Sequence, residues 1–304
     1  MMNIIQYKKE MGIPLSPGIY NNMDYDTYHQ IPAIRSSYLK ALDTCPASAT
    51  VPLKETKALK LGRVGHTLIL ESNEVFQAQY ALVPDNDIFK MNKNSNEYKK
   101  AYADFQNSNI GKTIIPVASS KDPDQSDLEM LRAIKHNLMI HPTASRIISE
   151  RPVEQSILWV DKETQELCKI RTDIAPFETI KAIGDLKLVE NVGEYEFGQA
   201  VRKYGYFISA GMYLEGASIA YGEHFDVAFF ICGEKDEPYR VAVHELDQDY
   251  IEHGVNEFHR LMRVHKQRKE DTNPITGAKG WFPPWTHSGI CVIRFPQYLR
   301  GDSI

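Results

Sequence analysis

The stretch from Cys168 to Glu190, CKIRTDIAPFETIKAIGDLKLVE, constrains the fold more than any other part of the chain. It reads as two β-strands joined by a turn around Pro176–Glu178, the first ending on Arg171-Thr172-Asp173 and the second carrying Asp185-Leu186-Lys187. Side chains alternate along a strand, so Asp185 and Lys187 share a face while Leu186 and Leu188 point into a core. A hairpin with that turn folds Asp173 back towards Asp185. Charges inside a run as apolar as Ile180, Ala182, Ile183, Leu186, Leu188 and Val189 are costly without a partner, and a metal ion is a suitable one. Carboxylates suit a hard cation such as Mg²⁺ or Mn²⁺, which keeps several waters and binds substrate phosphate. A lysine beside them can orient or help deprotonate an attacking water and neutralise charge on a phosphorane. The implied chemistry is metal-assisted phosphodiester hydrolysis. On a solvated hairpin the same residues would be surface charge.

At 304 residues, 42% apolar and 25% charged, the chain has ample material for a globular core. No apolar run is long enough to span a membrane, and the start MMNIIQYKKEMG lacks a signal-peptide pattern. Cys45, Cys168, Cys232 and Cys291 form no C-x-x-C pair. Each reads as a small buried hydrophobe in a protein of the reducing cytoplasm, without disulfide, zinc or iron–sulfur site. The net charge of −5 argues against indiscriminate coating of nucleic acid and leaves room for a local basic groove.

Residues 1–35 are rich in Tyr, Asn, Asp and Pro and read as turns and short extended pieces. Ser36-Ser37 offers an N-cap for a helix over SSYLKALDT. In VPLKETKALKLGRVGHTLILES, Lys54, Lys57, Lys60 and Arg63 recur every third residue, and LGRVGHTLIL reads as a helix with His66 one turn beyond Gly62. Paired glycines suggest that a backbone or a substrate approaches closely, though a lone histidine is more often structural. Residues 72–150 read as helices and polar loops with a short strand at IGKTIIPV. From Val153 strands take over: VEQSILWVD places Glu154 within reach of the Asp173 edge, and the hairpin follows. The next segment, NVGEYEFGQAVRKYGYFISAGMYLEGASIAYG, is helical with an interruption near Gly205. Tyr206, Ser209 and Tyr213 share a face there, with Arg202 and Lys203 about a turn upstream. FDVAFFICGE and YRVAVHELD read as paired strands around KDEP. A polar helix follows, with Arg260, Arg263, Lys266, Arg268 and Lys269 towards its end; cations there complement the helix dipole and leave DNA contact open. The tail from Asp271 reads as a loop carrying two tryptophans, and ICVIRFPQYL as a last extended segment.

These pieces fall into a known order. PGIYNNMDYDTYHQIPAIRSSYLKALDTCPA, LGRVGHTLILE, EQSILW, CKIRTDIAP, IGDLKLV and YGYFISAGMYLEGA, spread over roughly Gly18 to Leu299, resemble RecE-type exonucleases (exodeoxyribonuclease VIII) and their phage relatives. Those belong to the PD-(D/E)xK superfamily, which includes lambda exonuclease. The resemblance implies an α/β fold, a three-layer core around a central mixed β-sheet flanked by helices. It implies one domain over 1–304: a mainly helical part to 150, a core sheet over 151–250, and a C-terminal helix and tail. It matches His66 to a helix histidine, Asp173 and Asp185 to the core acids, Lys187 to the lysine, and Glu154 to a strand-start glutamate. By that analogy Asp173, Asp185 and the Leu186 carbonyl hold one Mg²⁺, and His66 with Asp173 a second. Arg63, Arg202, Lys203, Tyr206, Ser209 and Tyr213 are then the candidate DNA contacts.

The resemblance further implies 5′→3′ digestion of one strand at double-stranded DNA ends, a ring-like homo-oligomer, a single-strand annealing partner, and a bacterial or phage-infected cytoplasm. One position departs from the family pattern. Relatives carry Gln-x-x-x-Tyr in the helix after the Asp-x-Lys strand, whereas here Ser209 stands at the glutamine position and Tyr213 is retained. Gln199, roughly 15 Å away by helix rise, is too far to substitute. A structure-selective endonuclease on the same core, or a DNA-binding recombination accessory protein with a weak site, are the alternatives.

Overall fold

The computed structural model describes residues 1–52, 54–84, 88, 92–115, 123–149, 152–177 and 179–283. In chain order these form β1 (Ile4–Gln6), β2 (Gly18–Asn21), α1 (Tyr25–Gln30), α2 (Ser36–Thr44), α3 (Lys57–Leu70), α4 (Asn73–Gln79) and β3 (Tyr80–Leu82). Next come α5 (Asn96–Ser108), β4 (Thr113–Ile115), α6 (Pro123–Ile140) and α7 (Pro142–Ser149). The strands β5 (Val153–Val160), β6 (Leu167–Phe177) and β7 (Ala182–Val189) lead to α8 (Glu194–Tyr204), α9 (Tyr206–Tyr221), β8 (Val227–Glu234), β9 (Val241–Glu245) and α10 (Gln248–Glu270).

Among the described residues the main sheet has seven strands in the order β1-β2-β5-β6-β7-β8-β9. It is mixed: β1–β2 and β7–β8 are parallel and the other pairs antiparallel. Alternation sends neighbouring residues to opposite faces. Ile157, Trp159, Cys168, Ile170, Ile183 and Phe230 pack with α2, α8, α9 and α10. Ala182, Leu186, Ile231 and Ile174 pack on the other side with α3, α4, α6 and α7. The result is an α/β fold with helices on both sides of a central mixed sheet. Cys168 and Cys232 are buried in it as free thiols.

Residues 1–35 are more ordered than their composition suggests. They supply the two edge strands β1 and β2, with β2 paired antiparallel to β5, so the core sheet is not confined to residues 151–250. The turn of the central hairpin also begins later than expected. Pro176 and Phe177 remain in β6, and the register shifts between Ile174 and Phe177, a bulge that accommodates a residue without an N–H. Glu178, Cys291, Trp285 and the segment ICVIRFPQYL lie outside the described residues. Helix α2 starts at Ser36 with Arg35 as its N-cap and no side-chain cap, in place of the serine cap expected.

Two glycines set the geometry near the site. A Cβ on Gly65 would lie 2.6 Å from Leu188 Cδ1 and 2.9 Å from Leu131 Cδ2, so its absence lets α3 settle onto β7 and α6. Gly205, at φ 59°, takes the left-handed turn that ends α8 and starts α9, matching the interruption expected there.

Candidate active site

Helix α3 starts on Thr56, whose hydroxyl accepts the Leu59 N–H at 3.2 Å. Gly65 seats this helix against β7, which aims the adjacent His66 at the opened end of the β6–β7 pair. Backbone partners on those strands run from Phe177–Ala182 to Ile174–Gly184. Beyond them the Leu186 N–H is taken by Asp173 Oδ2 at 2.6 Å. The carboxylate therefore replaces a ladder bond and its other oxygen faces His66 Nδ1 at 3.3 Å. Glu154 enters from the start of β5, paired with the Arg171 guanidinium. Its backbone sits at φ 57°, a left-handed conformation that costs a non-glycine residue free energy and gathers at functional sites.

One ligand atom each from His66, Glu154 and Asp173 lies within 4.8 Å of the others, close enough for a single cation to touch all three. Asp185 is not in that trio. It pairs through its buried Oδ2 with the Lys187 ammonium. The Glu154 and Asp173 carboxylates, with the His66 imidazole, form a mainly hard donor set suited to Mg²⁺ or Mn²⁺. The Leu186 carbonyl lies at the same edge, 3.4 Å from Lys187 Nζ. The Lys187 ammonium rests over the rings of Tyr206, at 5.3 Å, and Phe230, at 5.9 Å.

The electrostatics are divided. Burial would raise the Asp173 pKa, but His66, Lys187 and the Leu186 N–H together hold it below the usual carboxylate range. Burial pushes Asp185 up, and Lys187 only partly opposes it. Glu154 is raised by burial too, against the pull of Arg171. Burial would lower His66, yet the Asp173 carboxylate outweighs it and holds the imidazole at about 9. Burial would likewise lower Lys187, and Asp185 and Asp173 overcome it, so the side chain stays an ammonium. It can donate and stabilise negative charge; it is not placed to take a proton.

A cavity of about 720 Å³ opens over this floor. Arg63, His66, Glu154, Asp173, Leu186, Lys187, Tyr206 and Tyr213 all line it, so expected residues from five separate segments are gathered in one place, while the expected Asp185 is not among its lining residues. Gly62 also faces it, with open space where a Cβ would be. Three expected DNA contacts lie elsewhere. Arg202 donates to the Tyr250 hydroxyl at 2.9 Å, and Lys203 sits over the Tyr204 ring. Ser209 accepts from Lys40 Nζ at 3.1 Å. Sequence reasoning missed Arg171, Tyr25, His29, Glu71 and Lys235, which line the cavity as well. For Arg171 the signal was available, since it stands two residues from Asp173 on the same strand.

With this geometry established, a family model described as a PDDEXK-like domain of unknown function (DUF3799) matches residues 35–279. The chain belongs to this PDDEXK-like family. No curated protein matches it. The crystal structure of a protein from Eubacterium rectale named "Putative exonuclease" is similar at a TM-score of 0.52 and 14% identity, covering 81% of this chain and 87% of that one. That likeness is one of fold. Asp185-Leu186-Lys187 in this PDDEXK-like chain has the spacing that the family's description spells, on a strand beside Asp173. No helix among the described residues is long and apolar enough to cross a membrane.

Proposed function

We propose that the chain is a divalent-metal-dependent deoxyribonuclease that degrades one strand of linear duplex DNA from its ends, of the RecE type and with 5′→3′ polarity. The observation that carries this reading is the His66–Glu154–Asp173 trio on the floor of one cavity, beside the Asp185–Lys187 pair whose lysine also lines it. Bound Mg²⁺ or Mn²⁺, as one ion or two, would supply Lewis-acid activation of a water and of the scissile phosphate. Glu154, Asp173 and His66 hold the metal side of the site, with Asp185 and the Leu186 carbonyl beside them. Asp173 is kept ionised by its neighbours and so is ready as a ligand. Lys187, kept cationic, donates to the attacking water or to a phosphate oxygen and offsets charge as it builds. Arg63, which lines the same cavity and pairs with Glu55, would contact a backbone phosphate, a contact that positions the strand without reading its sequence. Exposing a single strand in this way would suit recombination with an annealing partner, with a ring of subunits around the duplex.

Linear and covalently closed circular duplexes, incubated with Mg²⁺ and wild type or Asp185→Ala, test the reading. Nucleotide release from the linear form alone, abolished by Asp185→Ala, supports it. Cutting of the circle makes the protein an endonuclease. DNA binding with no metal-dependent cleavage of either form leaves a binding protein.

A further inference from the structure

A second cavity, of about 850 Å³, shares a wall with the first, because His29 lines both. The two differ in charge. Carboxylates floor the first, whereas the second is lined by Arg35, Lys54, Lys169 and Lys269, with Glu166 as the acid among them. That acid is already engaged, by Lys269 and, at 3.8 Å, by His265 Nε2. Lys169 is engaged too: it is 2% exposed and donates to the carbonyls of Tyr28, His29 and Ile31. Arg35 and Lys54 are left.

Lys54 opens the series of cations that recurs every third residue up to Arg63, but helix α3 begins only at Lys57, so the series is split. Lys57 pairs with Asp127 at 3.7 Å and Arg63 with Glu55. Lys54, ahead of the helix and exposed, has no acid partner among the described residues. Arg35 has none either; its Nη1 lies 2.7 Å from His29 Nδ1. A guanidinium only donates, so that ring nitrogen accepts and the imidazole is neutral. The bond orients Arg35 without cancelling its charge. Helix α2 starts at the next residue with no side-chain cap, and the positive end of its dipole adds to the same sign. The exposed Ser48 hydroxyl lines this cavity as well. Uncompensated cations beside a hydroxyl suit phosphate, and such contacts position a strand without reading it.

We infer that this second cavity holds the phosphate backbone of the DNA strand where it runs past the acid cluster, with Arg35 and Lys54 as its charge contacts. This rests on the nuclease reading of the first cavity. An acid cluster repels every phosphate that no metal ion bridges, so the flanking phosphates need cations outside it. The shared His29 wall favours one strand occupying both cavities over a separate acidic partner in the second.

The test uses the full chain and a fluorescently labelled single strand of about 12 nucleotides, within the range such grooves span. Binding is read by anisotropy, with Ca²⁺ as the divalent ion, from about 50 to about 200 mM salt. Each phosphate contact on a single strand adds about 0.7 to the slope of log affinity against log salt. Arg35→Gln combined with Lys54→Gln is expected to lower that slope by about 1.4, so wild type loses about sevenfold more affinity than the variant across the range. Lys54→Gln alone, at an exposed side chain that supports no packing, should lower it by about 0.7. Lys99→Gln combined with Lys100→Gln on α5 removes the same charge from residues that line neither cavity, and should leave the slope unchanged. Unchanged slopes in the cavity variants, an equal drop in the α5 variant, or a wild type that binds a polyglutamate peptide in place of the strand overturns the inference. Should the nuclease reading itself fail, wild type would cut no DNA in Mg²⁺ or Mn²⁺ while these slopes remained, whereas cleavage with unchanged slopes sinks this inference alone.

Discussion

The floor of the cavity and the C-terminal half of α10 are both crowded with charge, and they handle it in opposite ways. Along α10 each cation meets an acid or a carbonyl: Arg260 pairs with Glu257 and Asp43, Arg263 with Glu163, Arg268 with Asp271, and Lys269 with Glu166. Lys266 donates to the Glu163 carbonyl. Most of these pairs tie the helix to neighbouring segments near the surface, while Arg268 is buried and the Arg260–Glu257 pair lies within the helix. At the site the Asp173, Asp185 and Glu154 carboxylates crowd together with His66, Lys187 and Arg171, with Asp173 driven down and Asp185 and Glu154 driven up. A fold that satisfies its charges in one place and crowds like charges in another reserves the second place for a ligand.

The sharpest way to break this comparison is to neutralise the floor. Asp173→Asn or Asp185→Asn is expected to lower metal-dependent DNA cleavage by about 10³-fold or more, with circular dichroism unchanged. Residual cleavage near the wild-type rate would mean that the crowding has no catalytic purpose. Lys187→Met is expected to cost about 10²- to 10³-fold in cleavage rate while Mn²⁺ still binds, because it removes a charge stabiliser and not a ligand. A joint loss of Mn²⁺ binding would instead make the lysine part of the fold of the metal site.

A smaller effect is expected in the pH dependence of stability. Burial, and then the nearby Lys187 charge, lower Lys40 to about 8. The folded state thus binds its proton less tightly than the unfolded chain, whose lysine titrates near 10.5. Between those values the unfolded state carries more protons, so stability rises with pH across the window. Denaturant midpoints measured over that range should rise more steeply for wild type than for Lys40→Met, and identical slopes would remove Lys40 from the electrostatics of the site. Smallest of all, Arg260→Met should leave cleavage intact and cost roughly 0.2–1 kcal/mol in urea unfolding, the usual worth of exposed pairs. Loss of cleavage in that variant would return α10 to the functional surface.

The same contrast explains what was legible in the sequence. Strands β5 to β9 are apolar-rich runs bounded by turns, α3, α8 and α10 carry helical periodicity, and α9 is a long apolar stretch, so they could be read locally. So could the convergence of Asp173, Asp185 and Lys187, which follows from one hairpin. Strands β1 and β2, of three and four residues, have no such pattern and exist because β5 offers an edge to pair with. Pro176 looked like a turn because its missing N–H usually ends a strand, but here a bulge absorbs it. Arg202 and Lys203 stood near Tyr206 in sequence, yet the left-handed turn at Gly205 redirects the chain and leaves Arg202 bonded to Tyr250. The partner of Ser209, Lys40, is distant in sequence, and no spacing could have announced it. Glu154 was placed correctly at a strand start; its left-handed backbone was visible only in three dimensions.

The proposed chemistry depends most on His66, Glu154 and Asp173 forming a metal site. Pulsed electron spin resonance of Mn²⁺ bound to the protein tests it directly, because a coordinated imidazole nitrogen modulates the spin echo. A nitrogen-14 modulation is expected in wild type and should disappear in His66→Gln while Mn²⁺ remains bound through the carboxylates. Bound Mn²⁺ without nitrogen modulation in wild type, or the same modulation in His66→Gln, would contradict it.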